Sequence, residues 1–337
     1  MTQAVNRQWK LARRPQGLLQ AGDFSYVNEA KPVPGEGEIL IRNLYLSCDP
    51  TQRAWFEYDT YLPIIKIGEV VRSMGAGRIE ASNHPDYKVG DLVSGLLGWQ
   101  DYVVIKPVKG AVNRLKAEIP IPLALGALGL TGMTAYVGLL DIGKPKEGET
   151  VLVSGAAGAT GSVAGQIAKI KGCRVIGIAG GPEKCAWVAN AGMFDACIDY
   201  KVDNVAKKIA ELCPKGVDIY FDNVGGAILD AALGKLAMHG RIVICGGISS
   251  YNAVGRPPGI SNISNLIVKR GKMEGFVILD HGARFPEAAR DLMGWIKDGR
   301  VKNEVDIQSG LENAPATLNR LFEGKNLGKQ LLKIAEP

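Results

Sequence analysis

Histidine is scarce in this chain: His84, His239 and His281 are the three in 337 residues, and they lie far apart with no cysteine beside any of them. A structural zinc takes four ligands, commonly in close-spaced pairs. None of the six cysteines, Cys48, Cys173, Cys185, Cys197, Cys213 and Cys245, stands in a CxxC pair. Neither a metal site nor a disulfide framework is expected. No secretory run precedes the cysteines, so a reducing cytoplasm is the expected compartment. The basic start, "MTQAVNRQWKLARRPQG", lacks the apolar stripe of a transit peptide, and Pro15 breaks any helix early. Long blocks of like charge are also missing, and a net charge of +6 is mild for this length. Nucleic acid would need a basic stripe. Arg13 and Arg14, with Arg7 and Lys10 nearby, read instead as the solvated face of an N-terminal strand, so nucleic acid is not an expected partner. An uncharged run does occupy residues 119–140, but two prolines, four glycines and two threonines interrupt it. It predicts a buried helix crossing between domains rather than a membrane span.

What is present fits two domains: the chain is too long for one, and its 46% hydrophobic and 22% charged residues suit a globular core. Residues up to about 120 are β-rich, with turns recurring as in a small barrel or sandwich. "GEILIRNLYLSCD" reads as a strand. "IGEVVRSMGAGRIEAS" reads as strand, glycine turn, strand, and "VGDLVSGLLGWQDYVVI" as a strand pair around Gly98. Near residue 148 strands begin to alternate with helices, which predicts βαβ units and a parallel sheet. The successive segments are "ETVLVSG", "GATGSVAGQIAKIKG", "CRVIGIAG", "PEKCAWVANAG", "DACIDY", "DNVAKKIAELCPKG", "VDIYFDNVGG", the helical "AILDAALGKLAMHG", and "RIVICGG". The strand "KMEGFVIL" and the helix "RFPEAARDLMGWIKDGR" follow. The last strand, in "GKNLGKQLLKIAEP", is expected to return to the first domain. The fold class is α/β, with residues 1–122 and 303–337 in one domain and 123–302 in the other.

Within "SGAAGATGSVAGQ", Gly155, Gly158 and Gly161 are spaced three apart between a strand and a helix. Glycine there turns the chain tightly and lets backbone amides approach a pyrophosphate, which the helix N-terminus also attracts. The next strand ends in Gly180 and Gly181, where an NAD enzyme places Asp or Glu for the ribose 2′-hydroxyl. Lys184 follows one turn on, able to reach a 2′-phosphate as a point charge, and Tyr200 ends the next strand. Alone, Lys184 would be an ordinary exposed helix lysine. Beside the missing acid it points to NADPH. A nicotinamide cofactor implies hydride transfer. Reducing a C=C conjugated to a carbonyl then requires only hydrogen-bond donors at the enolate oxygen.

Across nearly its whole length the chain resembles the zinc-free medium-chain dehydrogenase/reductases. The segments that carry this are "GLTGMTAYVGLLDIGKPKEGETVLVSGAAGATGSVAGQIAKIKGCRVIGIAGGPEKC", "YFDNVGG", "ICGGISSYN" and "LENAPATLNRLFEGKNLGK", together with "LSCDP", "NHPDYKVGD" and "GWQDY". It is most similar to the prostaglandin reductase, leukotriene hydroxydehydrogenase, curcumin reductase and alkenal double-bond reductase branch. The resemblance implies a GroES-like N-terminal domain completed by the tail, a Rossmann domain, a cleft between them and a homodimer. It implies that Gly155, Ala157, Gly158, Thr160 and Gly161 hold the pyrophosphate. Gly180, Gly181, Lys184 and Tyr200 fall at the 2′-phosphate. Met133, Thr134, Asn223, Ser249, Ser250, Tyr251 and Asn326 fall along the rest of NADPH. Tyr251 is implied as the enolate-side hydroxyl, with Tyr61 as a second catalytic or pocket tyrosine, and Arg53, Trp55 and Tyr58 beside it. The family often has Tyr-Met after "DP", where this chain has Thr51 and Gln52. The activity implied is NADPH-dependent reduction of α,β-unsaturated aldehydes or ketones. Quinone reduction, allylic alcohol dehydrogenation and a non-catalytic NADPH sensor are the alternatives.

Overall fold

The computed structural model describes residues 5–108, 110–255 and 258–336. The chain forms two compact units. One comprises Met1–Leu125, Val305–Asn326 and Gln330–Pro337, the other Gly126–Glu304 and Leu327–Lys329. Leu327–Lys329 thus separates from the rest of the tail, which was expected to return whole to the first domain.

In the first unit, β1 (Val5–Leu11) pairs antiparallel with β2 (Phe24–Ala30). A seven-stranded sheet holds β3 (Ile39–Ser47), β4 (Met74–Ser82), β5 (Leu92–Leu96), β6 (Tyr102–Ile105) and β7 (Val112–Arg114), with β14 (Val305–Ser309) and β15 (Lys329–Lys333) from the tail. β3 is its centre: all its residues but Arg42 are buried, because both faces are covered. Ile39, Ile41, Ile79, Val93 and Leu97 form one core, and Leu44, Tyr45, Ala76 and Leu331 another. Three short helices, α1 (Gln52–Trp55), α2 (Ile121–Leu125) and α10 (Ala314–Phe322), complete the unit. The tail strand β15 pairs antiparallel with β3.

Two local expectations fail here. "IGEVVRSMGAGRIEAS" is not strand, turn, strand: its first part makes a single bridge, Lys10 to Val70. Gly75 and Gly77 lie inside β4, where a Cβ would stand 2.8 Å from the Tyr45 oxygen and 2.4 Å from the Arg42 oxygen. Glycine there permits close backbone approach rather than a turn. Nor is the basic cluster simply solvated. Arg7 grips Asp101 through two bonds of 2.8 and 2.9 Å, Arg13 pairs with Asp23, and Lys10 pairs with Glu29. Arg14 donates to the carbonyls of Phe56 and Ile65.

The second unit is a parallel sheet of β8 (Thr150–Ser154), β9 (Arg174–Ala179), β10 (Ala196–Asp199), β11 (Val217–Asp222), β12 (Leu236–Ile244) and β13 (Lys272–Gly275). Its order is β10-β9-β8-β11-β12-β13. The direction of winding therefore reverses between β8 and β11, as in a dinucleotide-binding sheet. Its helices are α3 (Leu130–Val137), α4 (Ala159–Ile170), α5 (Pro182–Ala189), α6 (Val205–Leu212), α7 (Gly226–Gly234), α8 (Asn265–Val268) and α9 (Phe285–Lys297).

The uncharged stretch 119–140 is not one helix. It breaks after α2 and restarts at α3, inside which Gly132 packs so closely that a Cβ would lie 1.8 Å from the Ala127 oxygen. Likewise "LAMHG" is strand rather than helix: α7 stops at Gly234, and Leu236 pairs with Val217. "KMEGFVIL" is strand only to Gly275 and continues as a 3-10 turn over Ile278–Arg284.

The small residues of α4 let it lie close to its neighbours. A Cβ on Gly165 would fall 1.8 Å from the Phe194 ring. Gly165→Ala is therefore expected to lose about 1–3 kcal/mol through overpacking. Urea unfolding checks this as a lower midpoint with an unchanged slope.

Candidate active site

The glycine turn sits at the reversal point. Ser154 ends β8, and Gly155 follows at φ +60°, a backbone angle that side chains disfavour. The Gly158 amide donates to the Gly155 carbonyl at 2.9 Å, and no side chain caps α4 behind it. A Cβ on Gly161 would lie 2.3 Å from the Gly155 oxygen, so glycine lets the helix close on the turn. Such an uncapped helix start suits a pyrophosphate. Sequence reasoning missed Gly328: its amide donates to the Ala157 carbonyl at 2.8 Å, and it bridges to Gly158. Asn326, buried, stands two residues before it.

The other side of the reversal point belongs to β11. The Asn223 side chain donates to the Ser154 carbonyl at 2.7 Å, and its backbone amide donates to the Ser154 hydroxyl at 3.0 Å. Behind it, the fully buried Asp222 accepts from the hydroxyls of Ser154 (3.1 Å) and Tyr220 (2.7 Å). The same carboxylate accepts the amides of Val224 (3.0 Å) and Gly225 (2.9 Å). Burial first, then the Asp222 charge, pushes the Tyr220 phenol well up, and the same two causes push the Cys245 thiol up to about 12. Asp222, Ser154 and Tyr220 were not among the residues singled out in the sequence. Their one visible signal was a polar "DN" closing an apolar strand.

Ser249 donates to the Val224 carbonyl at 2.6 Å, and Ser250 to the Gly247 carbonyl at 2.8 Å. The Tyr251 hydroxyl accepts the Gly247 amide at 3.2 Å. Gly246 stands between Asn223 and Tyr251: a Cβ there would be 3.4 Å from the Asn223 carbonyl oxygen and 3.5 Å from the Tyr251 hydroxyl. Asn223, Ser249 and Tyr251 are thus brought together on two adjoining turns. Arg256 and Pro257, a few residues beyond Tyr251, lie outside the described residues.

At the far end, β9 runs into Gly180 and Gly181. The Tyr200 ring lies against Gly180, where a Cβ would come within 2.7 Å of it. Gly181 has φ +95° and precedes Pro182, the first residue of α5, which carries Glu183 and Lys184 in its opening turn. An acid does stand near the tip. It is Asp199 at the end of β10, and its carboxylate accepts the amides of Gly181 (2.8 Å) and Lys201 (3.0 Å). It shapes the tip by binding backbone, a role invisible in the sequence.

The remaining residues lie within their own units. Arg53, expected beside a substrate, is 1% exposed. Its guanidinium serves the carbonyls of Pro15 and Gly17 and the carboxylate of Glu57, so it builds the first unit's interior. Trp55 is also buried, its ring under Arg72 and edge-on to Tyr61. Tyr58 and Tyr61 are about half exposed, at 53% and 47%. The Tyr61 hydroxyl lies 3.0 Å from that of Thr51. Met133 is buried, and the Thr134 hydroxyl donates to the Leu130 carbonyl within α3.

Residues 7–112 match the family described as the N-terminal domain of oxidoreductase, and residues 159–295 match zinc-binding dehydrogenase. The donor set does not fit zinc: among the described residues no three of His, Cys, Asp and Glu are grouped to hold a metal. The NADPH-dependent curcumin reductase of Escherichia coli is 43% identical, over 98% of this chain and 97% of its own. The NADP-dependent 2-alkenal reductase of Nicotiana tabacum is 37% identical, over 98% of each. The crystal structure of CurA from Vibrio vulnificus in complex with NADPH superposes with a TM-score of 0.93 at 43% identity, covering 98% of this chain and all of that one. This chain belongs to the medium-chain dehydrogenase/reductase family, in the branch of the curcumin, alkenal and prostaglandin reductases.

Proposed function

We propose that this chain reduces the C=C bond of α,β-unsaturated aldehydes and ketones by hydride addition to the β-carbon. It is an NADPH-dependent reductase, as its family implies. The residues fit that cofactor: an uncapped helix start follows the glycine turn, and the β9 tip ends in glycines with Lys184 one turn on. NADPH supplies the hydride. The residues of the chain would then hold the phosphates at Gly155–Gly161, meet the 2′-phosphate with Lys184 and Tyr200, and stabilise the enolate oxygen with a hydroxyl. The observation that carries the reading is Tyr251. Its oxygen accepts the Gly247 amide beside Asn223, which polarises its own O–H toward donation. Tyr61 is proposed as the substrate-side tyrosine, and a cytoplasmic homodimer as the working form.

The test is oxidation of NADPH, with NADH in parallel, against short 2-alkenals, aryl enones, a curcuminoid, a quinone and a saturated ketone. Rapid turnover of the enals and enones with NADPH, giving saturated carbonyl products by NMR, is expected. Preferred turnover of the quinone or the saturated ketone would replace the reading. Tight NADPH binding with no turnover would favour a sensor.

A further inference from the structure

Cys185 in α5 and Cys197 in β10 are twelve apart in sequence, yet their sulfurs lie 3.0 Å apart. Both are partly exposed, whereas Cys48, Cys173 and Cys213 are buried. The proposed reaction uses neither. We infer that this pair is an oxidation site, at which peroxide joins Cys185 to Cys197 in a disulfide that ties α5 to β10.

The chemistry balances with one peroxide. The Cys185 thiolate attacks a peroxide oxygen, the O–O bond breaks, and a sulfenic acid and hydroxide form; the hydroxide takes a proton to become water. The Cys197 sulfur then attacks the sulfenic sulfur, an S–S bond forms, and a second water leaves. Two thiols are oxidised and one peroxide is reduced to two waters. Burial raises the Cys185 thiol, and burial with Cys185 alongside raises Cys197 further. Thiolate is therefore scarce at neutral pH, and the bond forms under sustained peroxide rather than in a brief pulse.

The position gives the bond a consequence, which rests on the proposed NADPH contacts. Cys185 adjoins Lys184, and Cys197 lies on the strand that ends in Asp199 and leads to Tyr200. The cross-link fixes these two segments relative to each other. They can then no longer adjust around a 2′-phosphate. The KM for NADPH is expected to rise severalfold, with that for NADH unchanged.

Residues 185–201 contain no Lys or Arg before Lys201, so one tryptic peptide carries both cysteines. After hydrogen peroxide and alkylation of the remaining thiols, this peptide is expected to lack two hydrogens and to resist alkylation. Dithiothreitol should reverse both effects. Cys197→Ser should abolish the closed peptide and the rise in NADPH KM together. Alkylation of both cysteines after peroxide, or a Cys185 sulfinic acid without closure, overturns the site. A closed peptide with unchanged NADPH KM supports the bond and overturns its link to the phosphate end. The peptide readout needs no turnover, so it stands apart from any failure of the enone reading.

Discussion

Lys184→Ala raises the KM for NADPH about tenfold and leaves that for NADH nearly unchanged: that is the expected result if the β9 tip receives a 2′-phosphate. A hydrogen bond to a charged group contributes roughly 1.5–3 kcal/mol, and 1.4 kcal/mol is a factor of ten. The low end applies because Lys184 is only half-buried and solvent screens it. Lys184→Arg should retain much of the preference, since the charge remains. Restoring an acid at the tip is a poorer test. A side chain at Gly180 would collide with the Tyr200 ring, and Gly181 has φ +95°. Initial rates with both cofactors decide the matter. If both KM values rise alike, Lys184 does not read the 2′-phosphate.

Tyr251→Phe is expected to lower kcat by about 10²-fold while the NADPH dissociation constant stays within a factor of two. A donor aimed at a developing oxyanion acts on the transition state more than on the bound ground state, so the loss appears in kcat. The substitution also removes the acceptor of the Gly247 amide. That loss would loosen the loop and weaken cofactor binding if the tyrosine were merely structural. Measuring NADPH binding by fluorescence beside steady-state rates separates the two roles. An unchanged kcat removes Tyr251 from catalysis. A lower kcat accompanied by much weaker binding makes it a loop anchor.

The glycine turn, the alternation of strands and helices and the missing acid on β9 were legible because each is local. Tight turns and close backbone approach select glycine from short-range sterics, and period and punctuation follow the chain. Glycine also misled. Gly75 and Gly77 looked like a turn, yet they admit the backbone of β3, and only the neighbouring strand distinguishes the two uses. Arg53 carried over as a substrate residue because a resemblance transmits position, not burial; its carbonyl partners at Pro15 and Gly17 lie more than thirty residues away.

The sequence by itself determined that a glycine-rich βα turn exists, and that the next strand ends without an acid. Only the tertiary structure decided what stands around it. Asp222 and Asn223 meet Ser154 across 68 and 69 residues, Gly328 returns from the tail to the turn, and Asp199 comes from the adjacent strand to hold Gly181. Each of these contacts joins polar groups whose pairing is set by which strand lies beside which. Strand order comes from burying both faces of the sheet, a property of the whole assembled layer that no short stretch of chain encodes.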